Sequence, residues 1–146
     1  TKGYEAEISG ELAPGWQLQA GYTHKIMRDQ SGEKVSTWEP EDQVNIYTSY
    51  KLTGPLDRLT FGSGVRWQGT GWKMLSNYGK GTTEKFAQDA LWLVDVMARY
   101  QITDNVSATL NVNNLFDKKY YTNIGFYNSS YYGDPRNVMV STRWSF

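Results

Sequence analysis

A chain of 146 residues with 15 basic and 15 acidic side chains carries no net formal charge. Nucleic-acid binders carry a basic surplus, so that partner class is disfavoured. Cysteine is absent, which excludes disulfide frameworks and thiolate metal sites. Aromatic residues reach 15%, with 11 tyrosines and 6 tryptophans, yet mean hydropathy is −0.62, and no apolar run approaches the ~20 residues of a spanning helix.

Seven extended segments are predicted in chain order, at 3–12, 16–28, 42–52, 59–69, 90–102, 106–116 and 136–146, with no helix. The first alternates Tyr4, Ala6, Ile8, Gly10 and Leu12 with Glu5, Glu7 and Glu11. The second sets Trp16, Leu18, Ala20 and Tyr22 against Gln17 and Gln19. Val44, Ile46, Thr48, Tyr50 and Leu52 then oppose Asn45 and Lys51, and Leu59, Phe61, Ser63, Val65 and Trp67 oppose Arg66 and Gln68. In the fifth, Ala90, Trp92, Val94, Val96, Ala98, Tyr100 and Ile102 oppose Asp95 and Arg99. The sixth places Val106, Ala108, Leu110, Val112, Asn114 and Phe116 opposite Asn111 and Asn113. The last places Val138, Val140, Thr142, Trp144 and Phe146 opposite Arg143. No charge falls on the first-named face, where about eight would fall at the chain-wide 21% if the faces were alike.

Such alternation fits a soluble sandwich whose apolar face is the core. It fits equally a membrane barrel whose apolar face meets lipid and whose polar face lines the lumen. Segment length and connection length separate the two. Segments of 10–13 residues match tilted spanning strands, whereas globular strands average about 5–6. Connections at 13–15, 53–58 and 103–105 are short, and those at 29–41, 70–89 and 117–135 are long. Short turns at one end and long loops at the other is the outer-membrane pattern. All four prolines, at 14, 40, 55 and 135, stand in connections or at strand starts, as the ladder requires. Trp16, Tyr50, Phe61, Tyr100, Trp144 and Phe146 lie toward the short turns; Tyr22, Trp67, Trp92 and Phe116 lie toward the long loops. Two interfacial girdles are expected from this sorting. The final strand then runs toward the short-turn side, which places the C-terminus in the periplasm and the long loops outside the cell. The Thr1-Lys2-Gly3 start has no Met and no signal peptide, as in a fragment or mature segment.

Two stretches carry a family resemblance. Asn111-Val112-Asn113-Asn114-Leu115-Phe116-Asp117-Lys118-Lys119-Tyr120-Tyr121 resembles the penultimate strand of TonB-dependent receptors. Gly133-Asp134-Pro135-Arg136-Asn137 and the alternating strand to Phe146 resemble their last strand. The Phe126-Tyr127-Asn128 loop and the Pro-Arg-Asn step are similar to those of receptors for ferric hydroxamate and pyoverdine-type siderophores. The resemblance implies an all-β transmembrane antiparallel barrel in the outer membrane. Residues 1–146 would be its C-terminal seven strands out of about 22, with the plug domain absent from this chain. It further implies import of a ferric siderophore by TonB-dependent active transport, with the TonB complex engaged through a missing N-terminal part. Outer-membrane lipid or lipopolysaccharide would surround the wall, and Phe146 would be read by the barrel-assembly machinery. A passive channel or adhesion barrel, and a soluble carbohydrate-binding β-sandwich, are the alternatives.

The iron of a ferric siderophore is already saturated by the chelator's oxygens, so the protein supplies no metal ligand. It needs flat aromatic surface and a few hydrogen-bond donors instead. Tyr127 is the first expectation, from the resembling receptors, followed by Phe126, Tyr131, Tyr132 and Trp72. Loop or interfacial packing is the alternative role for each. Arg66, Asp95, Arg99 and Arg143 would grip a plug or pair among themselves. Glu39, Glu41 and Asp42 match no ordered calcium loop. The single histidine, His24, has outward parity, which excludes a His-based triad or a multi-His metal site. No catalytic residue is assigned.

Overall fold

The computed structural model describes residues 1–77, 79–126 and 129–146. Seven long strands form one antiparallel sheet: β1 (Lys2–Ala13), β2 (Trp16–Ile26), β3 (Asp42–Lys51), β4 (Leu59–Gln68), β7 (Leu91–Gln101), β8 (Val106–Asn113) and β11 (Asn137–Trp144). Each pairs with its neighbour in that order, which is the wall predicted from alternation. Two further hairpins, β5 (Gly71–Asn77) with β6 (Thr82–Gln88) and β9 (Tyr121–Phe126) with β10 (Ser129–Tyr132), stand above it as separate two-stranded sheets. They occupy two segments expected to be plain loops. The third, at 29–41, is drawn closed by a bridge between Arg28 and Lys34. A 3₁₀ turn at Gly54–Leu56, started by Pro55, makes one of the short connections.

The apolar side of the sheet is bare. Tyr4, Ile8, Leu12, Trp16, Phe61, Trp92, Tyr100, Val140 and Trp144 are all exposed, Ile8 at 66% and Val140 at 69%. Among the described residues no second sheet covers them, so the sandwich alternative has nothing to form its core. A face so large and apolar has to meet another apolar phase. The fold is all-β, an arc of an antiparallel barrel with its uncharged side outward.

Strand register arranges the aromatics in belts. Trp16, Tyr50 and Phe61 are directly paired across β2, β3 and β4. Tyr100 follows one outward position nearer the turns, opposite Leu59, and Trp144 one further, opposite Val106. The belt therefore descends along the sheet, as it must if it is level in the membrane and the strands are tilted. Tyr22, Trp67 and Trp92 form the second belt, with the two indoles 5.9 Å apart. Between the belts, the outward hydroxyls of Thr48 and Ser63 donate back to the carbonyls of Gln17 and Asp95. Such return bonds remove the cost of an unpaired hydroxyl in hydrocarbon.

Candidate functional site

The long-loop end of the wall is anchored by one asparagine. β8 stops at Asn113, three residues short of its predicted end, because Asn114 turns the chain with φ 50°. Asparagine tolerates this left-handed conformation. Its side chain is buried at 4% exposure. Its amide donates to the carbonyls of Lys118 at 2.9 Å and Asp134 at 3.1 Å, and its oxygen accepts the Lys118 N–H at 2.9 Å. Asp117, also at positive φ, accepts the Arg136 N–H at 2.9 Å. The two family-like stretches are therefore one structure: the exit from β8 is tied to the entry to β11. Asn114 faces neither lipid nor lumen, contrary to its place in the outward alternation.

The same node reaches the inner wall. Asp95 on β7 accepts the Asn114 N–H at 2.8 Å through one oxygen and pairs with Arg66 on β4 at 3.2 Å through the other. Arg66 and Asp95 thus serve inner-wall pairing. Arg99 and Arg143 instead line a wide cavity at the short-turn end with Lys51, Arg58, Asp57 and Asp104.

Above the Asp95 node lies a concavity of about 300 Å³ on the inner face. Gln43, Asn45, Arg66 and Gln68 supply polar groups; Leu91, Leu93, Tyr120 and Tyr121 supply apolar surface. Leu91 and Leu93 are the buried hydrophobic side chains of the described residues, at 6% and 5% exposure. They occupy inward parity, where the neighbouring strand carries Arg66 and Gln68 and the next one Gln43 and Asn45. Two leucines on the polar side near a long-loop end are the signal that alternation alone passes over. Tyr120 is held over Gly133, whose N–H donates to the Tyr120 carbonyl at 2.8 Å. A side chain at Gly133 would collide with the Tyr120 ring. Gly133→Val is expected to cost about 1–3 kcal/mol as an overpacked contact and to move the ring, which thermal unfolding and a structure of the variant would check.

The outer hairpins are braced to one another. Thr37 and Trp72 exchange hydrogen bonds, the Trp72 N–H to the Thr37 carbonyl and the Thr37 hydroxyl to the Trp72 carbonyl. Lys73 lies over the Trp38 ring at 4.6 Å and Lys85 over Trp72 at 4.7 Å. Phe86 meets Tyr121 edge-on at 5.0 Å, and Gln88 accepts the Tyr121 N–H. Tyr121 stacks on Tyr132 at 4.6 Å and donates its hydroxyl to it, which holds the Tyr121 phenol above its ordinary pKa. At the neighbouring loop, Ser31 and the Glu33 N–H bond the Asp29 carboxylate and hold it below the usual carboxylate range.

Tyr131 and Tyr132 are exposed on β10, Tyr132 as half of the stacked pair. Trp72 is half-buried at the hairpin root and capped by Lys85. Tyr127 and the side chain of Phe126 lie outside the described residues, as does Tyr78. Glu39 pairs with Lys25 and Glu41 with Lys34, while Asp42 accepts from Tyr22 and His24. His24 faces outward, as its parity required.

Comparison with known proteins matches residues 1–115 to the family described as TonB dependent receptor-like, beta-barrel. The ferripyoverdine receptor of Pseudomonas aeruginosa is 70% identical over 146 residues, all of this chain and 18% of its own length. The ferric-pyoverdine BN7/BN8 receptor of Pseudomonas putida is 42% identical over the same span and 17% of its length. A crystal structure of the Pseudomonas aeruginosa outer-membrane ferripyoverdine receptor bound to ferripyoverdine superposes with a TM-score of 0.94 at 70% identity. It covers 99% of this chain and 19% of that one. The chain spans about a fifth of the length of these relatives.

Proposed function

Because this chain belongs to the TonB dependent receptor-like β-barrel family, we propose that it is the C-terminal wall of an outer-membrane receptor that binds a ferric siderophore and imports it by TonB-dependent active transport. The carrying observation is the inner concavity below the β9–β10 hairpin, set in a wall whose other side is uncharged. Tyr120, Tyr121, Leu91 and Leu93 give flat and apolar surface. Arg66 and the side-chain amides of Gln43, Asn45 and Gln68 give donors. That mixture suits a chelate with an apolar body and an oxygen-rich outer shell. The 70% identity with a ferripyoverdine receptor makes a ferric pyoverdine the first chelate to try.

Tyr127 remains the leading loop contact, with Phe126, Tyr131, Tyr132 and Trp72 as further candidates. Tyr120 joins them from the structure. Energy coupling through the TonB complex would come from other segments of the receptor. Outer-membrane lipid or lipopolysaccharide contacts the uncharged face.

The test is ferric-siderophore binding and uptake by the full-length receptor across a small panel of chelates. Tyr127→Ala and Tyr120→Ala are each expected to weaken binding of the preferred chelate about tenfold, or ~1.4 kcal/mol. Unchanged affinity for every chelate in both variants removes the site assignment. Uptake that persists in cells lacking an energised inner membrane points to a passive channel instead.

A further inference from the structure

We infer that Asp95 is the positioning residue of the inner concavity: one carboxylate aims the cation in its wall and fixes the strand exit that carries its aromatic side. The inference rests on the proposed reading of that concavity as a ferric-siderophore site. It adds how the two halves of the site are set together.

Asp95 lies just below the concavity and is not among its lining residues. The strands it joins, β4, β7 and β8, are interior to the sheet, each with a neighbour on both sides. Gly64 stands directly opposite Asp95, and Arg66 stands opposite Leu93. The carboxylate therefore reaches Arg66 diagonally, past a residue with no side chain. Its Oδ2 accepts from Arg66 Nη2 at 3.2 Å. A guanidinium is a rigid planar fork, so a carboxylate at one nitrogen fixes where the other donors point. Arg66 is the one charged side chain among the described residues that line the concavity. Its aim decides where an oxygen-rich ligand meets its strongest donor.

The other oxygen works on the aromatic side. Oδ1 accepts the Asn114 N–H at 2.8 Å. Asn114 in turn holds the backbones of Lys118 and Asp134 through its side-chain amide. Lys118 stands two residues before Tyr120, and Asp134 directly follows Gly133, over which the Tyr120 ring is seated. The bonds run unbroken from Arg66 through Asp95 and Asn114 to both ends of the β9–β10 excursion. Cation and aromatic wall thus take their places from a single side chain.

Asp95→Asn separates the two tasks, since an amide oxygen still accepts the Asn114 N–H while the charge facing Arg66 is gone. In the full-length receptor this variant should bind ferric pyoverdine about tenfold more weakly. Arg66→Gln should do the same. The two together should cost about tenfold rather than about a hundredfold, because both remove one aimed donor. Amide hydrogen exchange in the ligand-free receptor gives a second readout. Asp95→Ala, which removes both bonds, should speed exchange at Lys118 and Gly133 about tenfold, and Asp95→Asn should leave it unchanged. A carboxylate with a merely structural role would move exchange and affinity together in both variants. Additive losses for Asp95→Asn and Arg66→Gln overturn the inference, as does unchanged affinity in Asp95→Asn or unchanged exchange in Asp95→Ala. If the alanine receptor fails to assemble, the asparagine variant and its combination with Arg66→Gln decide. A wild type that does not bind ferric pyoverdine counts against the receptor reading, and hydrogen exchange alone then decides whether Asp95 sets the strand exit.

Discussion

Replacing Asn114 with leucine is expected to lower the unfolding free energy of the full receptor by about 3–5 kcal/mol. Leucine matches asparagine roughly in size but offers no polar atom. The carbonyls of Lys118 and Asp134 and the N–H of Lys118 would lose their side-chain partner at a buried position. An orphaned group costs about 1–3 kcal/mol when fully buried, and the exposed Lys118 and Asp134 recover much of that from water. The left-handed backbone at φ 50° adds about 1–2 kcal/mol for a residue that has to adopt it without local hydrogen bonds. Asn114→Gly keeps the backbone conformation open and should cost less than leucine. Asn114→Asp should be nearly as damaging as leucine, since a carboxylate would face two carbonyls close to Asp95. Urea unfolding in lipid vesicles measures all three. A leucine variant within about 0.5 kcal/mol of wild type, the ordinary range of surface substitutions, would show that the node does not hold the strand ends together.

Ile46→Arg should destabilise the inserted barrel by about 2–4 kcal/mol, the cost of a cation near the bilayer midplane on the lipid face. Ile46 is paired with Ala20 on one side and Val65 on the other. It lies two positions from Val44 of the upper belt row and four from Tyr50 of the lower, too far from either rim for an easy escape by snorkelling. Gln19→Arg is the matched control. Gln19 is on the other face and already donates to Glu7 at 3.0 Å, so an arginine there gains a carboxylate partner. Heat-modifiability on gels and the amount of receptor in isolated outer membranes should fall for the first variant and hold for the second. Equal behaviour of the two would contradict the assignment of lipid and lumen faces.

The wall was legible because its physics is periodic. A two-residue alternation with an uncharged side survives any error of a residue or two at strand ends, and it carried Trp16, Tyr50 and Phe61 onto one row without knowledge of the pairing. What escaped was local and non-periodic. Asn114 looked like one more outward residue because nothing in the alternation announces a left-handed turn. The hairpins β5–β6 and β9–β10 read as loops by length alone, although residues 71–88 contain their own short alternation. Leu91 and Leu93 were hidden by the rule that inward residues are polar, a rule that bends where a wall approaches its mouth. The resemblance supplied Tyr127 and Phe126, whose side chains lie outside the described residues. The three-dimensional arrangement supplied Tyr120, whose position depends on a glycine thirteen residues later.

Because Thr37 clasps Trp72, Phe86 meets Tyr121, and Tyr121 leans on Tyr132, the outward-facing excursions of this wall are not interchangeable parts. Grafting one of them alone from a relative would cut across shared joints. A working exchange of these excursions has to arrive as a matched set of segments.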